Sequence, residues 1–341
     1  MFIIADLCTG LFLYVSARRF LIYLKKEHKD TNKFAKDIEY CLLTDDEYRK
    51  IPLYVLMAVL FNPFTLIGCI GYSTIQIHNF FLSIFLCSLV YGELILGPAA
   101  LAICTSVSFY PFILIVPYCI SFITVHKHKI KASLVLLFYV VFLALITMCN
   151  SNWGTDYSFV KNVYGCILTV PDLQPNIGLF WYFFTEMFDH FRDLFIYSFQ
   201  INATILYLVP LSLKFRNQPF LLVVSLLFLI SIFKSYPCVS DLGFVLSVLP
   251  NFLHLFPFCQ QGFLVGVIFL ITTTLAPILW YLWIYCNSAN ANFYFGVTLA
   301  FAIAQIFLIT DILFAQIKRE FTLNNGKERK IDGDEAILSL E

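Results

Sequence analysis

The chain has 341 residues, of which 60% are hydrophobic, 18% aromatic and only 13% charged, with 22 basic and 22 acidic side chains. A soluble domain carries about 25% charged residues, so this composition, with a mean hydropathy of +0.81, excludes a soluble protein and describes an all-α polytopic membrane protein. A net charge of zero argues against a nucleic-acid partner, which needs a basic face. The 11 cysteines stand singly with no C-x-x-C, so neither a disulfide framework nor a zinc site is read from them.

Residues 2–17 form an apolar run without the basic start or small-residue cleavage site of a secretory leader. Arg18 and Arg19 follow, then a charged connection, 18–50. Apolar segments come next at 52–71, 79–91, 95–108 and 111–125. The last three are short against the ~20 residues of a full crossing, and Pro98, Pro111 and Pro117 interrupt them. Broken or tilted helices packed against protein are expected there. A span at 132–149 leads to a polar loop, 150–178, and to the aromatic stretch FWYFFTEMFDHF at 180–191. Further apolar segments run at 193–213, 219–233, 241–256, 263–285 and 293–317, before a polar tail, 318–341.

Counting Lys and Arg in alternate connections sets the orientation. With residue 1 lumenal, all but Lys161, Arg192 and Lys234 of the 22 basic residues fall on the cytosolic side. The expectation is therefore about 11 spans in one membrane domain, 1–317, with a cytosolic loop 18–50, a lumenal loop 150–178 and a cytosolic tail. Residues 179–192 are expected to form a lumenal interfacial helix, since Phe180, Phe183, Phe184, Met187 and Phe191 fall at helical spacing with charges mostly opposite.

Two polar islands stand out. Glu186 and His190, four apart, would share a helical face beside Asp189 and Asp193. Such a face could hold a metal, shuttle a proton, bind a headgroup, or be a solvated edge; one His without an H-x-x-H partner makes a poor metal site, and no metal is expected. The second island, CNSANAN at 286–292, needs only turn and capping chemistry. Its amides would also suit sugar hydroxyls and phosphate, framed by Trp280, Trp283, Tyr285 and Tyr294. Within the spans, Asn62 is expected to satisfy a carbonyl freed by Pro63, and Asp311 to pair towards the helix end near Lys318. Lys234, Tyr236 and Asp241 mark a turn in which a Lys could meet a lipid phosphate, although a simple turn with Pro237 is the preferred reading. No G-x-S-x-G, H-E-x-x-H or P-loop is present.

The strings FNPFTLIGC at 61–69, VPDLQPNIGLFWYFFTEMFDHF at 170–191, FQIN at 199–202, IFKSYPCVSD at 232–241 and LWIYCNSANANFYFGVTLAFAIAQIFLITD at 282–311 together resemble the class U subunit of glycosylphosphatidylinositol (GPI) transamidase. In order and spacing they cover nearly the whole chain. The resemblance implies a GT-C-like architecture, residence in the endoplasmic reticulum membrane, and a non-catalytic role with no cofactor. It implies partners as well: the other transamidase subunits, including a cysteine-protease-like catalytic one, and the GPI lipid itself. Asn287, Ser288, Asn290 and Asn292 are the implied GPI-binding residues, followed by Phe180, Trp181, Phe184, Glu186 and His190. It further implies that residue 1 falls within the family's second span. The rival expectation is a GT-C mannosyltransferase using dolichol-phosphate mannose, which would want lumenal acids near the start; Asp6 stands alone there. A transporter or scramblase would want more polar residues along the spans.

Overall fold

A computed structural model describes residues 1–29, 34, 35, 38, 41–151, 156–326, 330, 331, 334 and 335. Parts of the expected 18–50 and 150–178 connections, and most of the tail beyond residue 326, lie outside the described residues.

The first helix, α1 (Phe2–Lys29), does not stop at Arg18 as the charge pattern suggests. The guanidinium of Arg18 lies over the ring of Tyr14, and that of Arg19 over Tyr23 and Tyr91. These cation–π contacts let the helix carry its charges onward. α2 (Asp45–Leu60) starts at a capping box: the Thr44 hydroxyl accepts the Glu47 N–H while the Glu47 carboxylate accepts the Thr44 N–H. Lys25 pairs with Asp45, tying the two helix ends together.

After α2 the chain breaks at Asn62 and restarts as α3 (Pro63–Ile70). Pro63 removes the bond that would have reached the carbonyl of Val59. The expectation that Asn62 repairs this is not met. The Thr65 hydroxyl donates to Val59 O at 2.7 Å, while Asn62 caps the new helix through Phe64 N–H and donates to Gly243 O at 3.1 Å. Asn62 is not free for the repair, because both ends of its amide are engaged, at the cap and at Gly243 O.

Short apolar helices follow: α4 (Ile75–Tyr91), α5 (Leu96–Ser108), a 3-10 turn (Tyr110–Leu114) and α6 (Ile115–Thr124), then a long one, α7 (Lys129–Asn150). A π-helical turn (Val160–Gly165) leads to α8 (Cys166–Thr169), α9 (Phe180–Glu186), α10 (Asp189–Thr204) and α11 (Leu208–Lys214). The last group is α12 (Pro219–Phe233), α13 (Val239–Val248) with a 3-10 extension (Leu249–Phe258), α14 (Gly262–Ile284) and α15 (Ala291–Asn325). Beyond these, Lys330–Ile331 pairs antiparallel with Asp334–Glu335.

The sequence of α12, PFLLVVSLLFLISIF, is apolar on every side, and almost every residue of it is buried. A helix hydrophobic all round belongs in the interior. α4, α5, α6 and α13 surround the same core through Phe85, Leu101, Tyr118, Phe122 and Phe244. In contrast α7, α10, α11 and α14 present Leu136, Leu137, Val140, Leu194, Leu213, Phe263 and Leu270 outward. Among the described residues, seven helical stretches are long and apolar enough to cross a membrane, and the protein is a helical membrane protein.

Two polar groups of α15 inside this bundle find partners on neighbouring elements. Asp311 in α15 does not turn to the helix end: its carboxylate accepts the N–H groups of Gln260 and Gln261 at 2.9–3.0 Å, capping the start of α14. A carboxylate at a helix N-terminus answers both the orphan donors and the dipole there. Gln305 accepts the Ser231 hydroxyl at 3.0 Å, joining α15 to α12.

Candidate functional site

α14 ends at Ile284, and the chain turns back into α15 through 285–290. Asn287 adopts φ +51°, a left-handed conformation that Asn tolerates better than most residues. The side chain of Asn290 accepts the N–H groups of Asn292 and Phe293 at 3.0 and 3.3 Å, capping α15. Ser288 is anchored to Leu282 O through its N–H at 3.0 Å. Turn chemistry thus accounts for the backbone of the whole island. Asn287, Ser288, Asn290 and Asn292 are nevertheless all exposed. Among the described residues, nothing accepts a hydrogen bond from the side-chain amides of Asn287, Asn290 or Asn292.

The structure brings this turn against α9. The Tyr182 hydroxyl donates to Asn292 Oδ1 at 2.7 Å, and the Tyr182 ring stacks on Phe295 at 4.1 Å and 10°. Trp181 lies against Trp283, Tyr294 and Phe295, with ring centres 6.1–6.2 Å apart. Trp280 closes on Tyr294 at 5.1 Å. Offset and edge-on geometries of this kind add to burial energy. Trp181 is 3% exposed, and its indole N–H has no acceptor among the described residues. An unmatched buried donor of this kind calls for a specific explanation.

Phe180 and Phe184 point the other way, into a cluster with Val170, Ile196 and Phe199. They are 1% and 3% exposed, so they build the wall behind the site and leave its surface to other residues. Glu186 and His190 are exposed but do not share a helical face. α9 stops at Glu186, Met187 and Phe188 take extended ψ values of 140° and 135°, and Asp189 opens a new helix in which His190 is the second residue. The expected single helix over 179–192 is therefore two, α9 and α10, set at the break. The physical reason is packing: Phe180 and Phe184 of α9 and Ile196 and Phe199 of α10 bury into one cluster, which a straight helix could not bring together.

Tyr182 escaped the sequence reading, although its neighbours in the aromatic run were singled out. So did a network behind the wall. The Tyr110 hydroxyl meets Gln200 Oε1 at 2.8 Å and Ser235 at 3.0 Å, and Gln200 donates to Ile167 O at 2.9 Å. The FQIN and FKSY strings carried the signal, since a Gln and a Lys-Ser pair are rare inside apolar helices. Lys234 is not presented to a lipid: it is buried and paired with Asp241 at 2.6 Å, and Asp241 also accepts Cys238 N–H at 2.7 Å. In the turn beside them, burial and the nearby Cys166 push the Tyr236 hydroxyl up to about 12 while it donates to Asp172 O.

Residues 1–301 match the family model described as GPI transamidase subunit PIG-U. The chain belongs to this family. A human protein described as GPI-anchor transamidase component PIGU is 37% identical over 355 aligned residues, which take in 100% of this chain and 81% of the human one. A mouse protein of the same description is likewise 37% identical. The GPI transamidase component GAB1 of Saccharomyces cerevisiae is 33% identical, across 78% of this chain and 66% of its own. Two of the strings on which the resemblance rests, the FWYFF run and the NSANAN turn, meet at Tyr182 and Asn292.

Proposed function

We propose that this chain is a non-catalytic subunit of a GPI transamidase in the endoplasmic reticulum membrane. It holds the GPI lipid and presents it to a cysteine-protease-like subunit that performs the transfer. The observation that carries this reading is the junction of α9 with the 286–292 turn. There exposed amides of Asn287, Asn290 and Asn292 stand above a wall of rings that keeps an unmatched Trp181 N–H. Amides offer donors and acceptors to sugar hydroxyls and phosphate oxygens alike. Aromatic faces suit the boundary between headgroup and acyl chain. Phe180, Trp181 and Phe184 would position this surface, and Glu186 and His190 would flank it from the exposed break.

The contribution to catalysis is positional. Holding the amine of the lipid next to an acyl-enzyme converts a bimolecular step into a nearly unimolecular one. Seven long and four shorter apolar helices among the described residues support eleven crossings, with the Lys- and Arg-rich connections cytosolic; the GT-C-like arrangement rests on the family resemblance alone. Complementation of cells lacking their own subunit tests the site. Asn292→Leu should lower surface display of a GPI-anchored reporter while the variant still co-purifies with its partner subunits. Undiminished display would remove Asn292 from the site.

A further inference from the structure

At the opposite end of the bundle lies a cavity of about 690 Å³, within the ~300–1,000 Å³ range of ligand pockets. Its walls come from the far ends of α1, α4, α6, α12 and α15 and from the 3-10 turn around Phe252. Arg319 and Asn292 stand 27 residues apart on α15, so about 40 Å of helix separates this cavity from the Tyr182–Asn292 junction.

Three independent features of the cavity ask for an anion. First, α12 begins there without a side-chain cap on its N-terminus: Gln218 supplies none, and Phe220 and Leu221 line the cavity. The Gln218 amide is engaged elsewhere, donating to Glu320 at 2.9 Å. A helix N-terminus left in this way offers N–H donors and a positive dipole end. Second, two imidazoles in the wall have buried ring nitrogens with no partner among the described residues, Nε2 of His126 and Nδ1 of His254; His254 is 7% exposed. Third, Lys127 stands exposed at the rim, and the one lining acid, Glu320, already accepts the amides of Gln218 and Gln316. His126 is fixed in place because it packs where a side chain on Gly92 would be: a Cβ there would fall 2.6 Å from the ring.

The rest of the lining is apolar and aromatic. Phe20 stacks on Phe220 at 4.5 Å, with Phe252 edge-on to Phe20 at 6.0 Å. A small hydrated phosphate has no use for such a floor; a phosphate carried on an acyl chain does. We propose that this cavity binds the headgroup phosphate of an anionic membrane phospholipid, with the first part of its chain laid on the Phe20–Phe220–Phe252 floor. The site is separate from the one proposed for the GPI lipid and would be filled whether or not that reading holds.

Photo-crosslinking tests it on the full chain with its co-purifying partners, in nanodiscs containing a diazirine-bearing phosphatidylserine or the matching phosphatidylcholine. Mass spectrometry should place crosslinks of the anionic probe in the 20–24, 121–127, 218–221 and 252–254 peptides. Lys127→Glu, an exposed change that leaves the packing alone, should cut those crosslinks by at least about fivefold, since it removes one lysine's attraction to an anionic lipid and adds a repelling charge. His254→Leu should cut them as well. Inorganic phosphate should leave them unchanged. Equal labelling by both lipids, labelling confined to the outward faces of α7 and α14, or full labelling of Lys127→Glu would overturn the proposal. Loss of labelling on adding inorganic phosphate would assign the cavity to a soluble phosphate instead and defeat the lipid assignment.

Discussion

Asn290 caps the backbone and, in the proposed site, would serve a ligand as well. Its carbonyl oxygen caps α15, while its amide group stays open. The two roles separate by substitution. Asn290→Ala should lower stability by about 1 kcal/mol, the usual worth of an N-cap, and reduce GPI attachment too. Asn290→Asp keeps the cap and discards the donors, so it should leave the melting temperature of the purified complex unchanged and still reduce attachment. Equal attachment by wild type and Asn290→Asp would limit Asn290 to capping. The sequence showed that these asparagines sit in a turn, because Asn and Ser are turn residues whatever they pack against. It could not show that Tyr182 reaches Asn292, since 110 residues separate them and no local pattern encodes that meeting.

At the scale of elements, two contacts hold helices that composition alone would leave free to slide. Lys234 closes the end of α12 on the start of α13 through Asp241. Lys234→Met would leave a buried carboxylate without its cation, which costs about 3–5 kcal/mol. Pairing it with Asp241→Leu should recover much of that loss, and detergent melting curves of the single and double variants measure the difference. α3 crosses α13 so closely that a Cβ on Gly68 would fall 1.9 Å from Ser240 Oγ. Gly68→Val should cost about 1–3 kcal/mol by overpacking, seen as a lower yield of monodisperse protein.

The end of α1 is fixed by His28, whose ring meets Tyr48 Oη at 2.7 Å and Arg319 at 2.6 Å. Burial, and then the Arg319 charge, lower its pKa from 6.5 to about 4. The imidazole is therefore neutral in the fold and gains a proton more readily when unfolded. The resulting stability is complete above pH ~6.5 and is lost as pH falls towards about 4. Melting temperatures taken from pH 7 to pH 4.5 should fall, and His28→Gln should flatten the profile. Arg18 and Arg19 misplaced the end of α1 in the sequence reading because a charge marks a membrane boundary, whereas a helix ends only where its hydrogen bonds and caps do. The Thr44–Glu47 capping box, by contrast, stands openly in the TDDE string at 44–47.

For the whole molecule, membrane residence and helical class follow from composition, and the family strings survive as contiguous structural pieces. The length and prolines of the short segments at 79–91, 95–108 and 111–125 mark them as broken; the structure gives them as α4, α5 and the Tyr110–Thr124 pair of helices, all part of the core that surrounds α12. Which helices are central was not legible, since α12 and α14 are both strongly apolar, yet the first is buried and the second mostly faces outward. Orientation is testable on the same scale. Cys149 and Cys286 are exposed, and with residue 1 lumenal both face the lumen. An impermeant maleimide should label them in sealed microsomes only after the membrane is opened. Labelling beforehand would reverse the topology.

α15 runs 35 residues without a break, and this makes it a shaft that sets phase. Its first turn presents Asn292 to Tyr182, its middle turns Asp311 towards the start of α14, and its last turns aim Arg319 at His28. One residue inserted between Asn292 and Asp311 would rotate everything on one side by about 100° relative to the other. No loop lies within that stretch to absorb the twist. The aim of the proposed headgroup site is thereby locked to the seating of α14, and a defect at the midpoint would be felt as misdirection at the end.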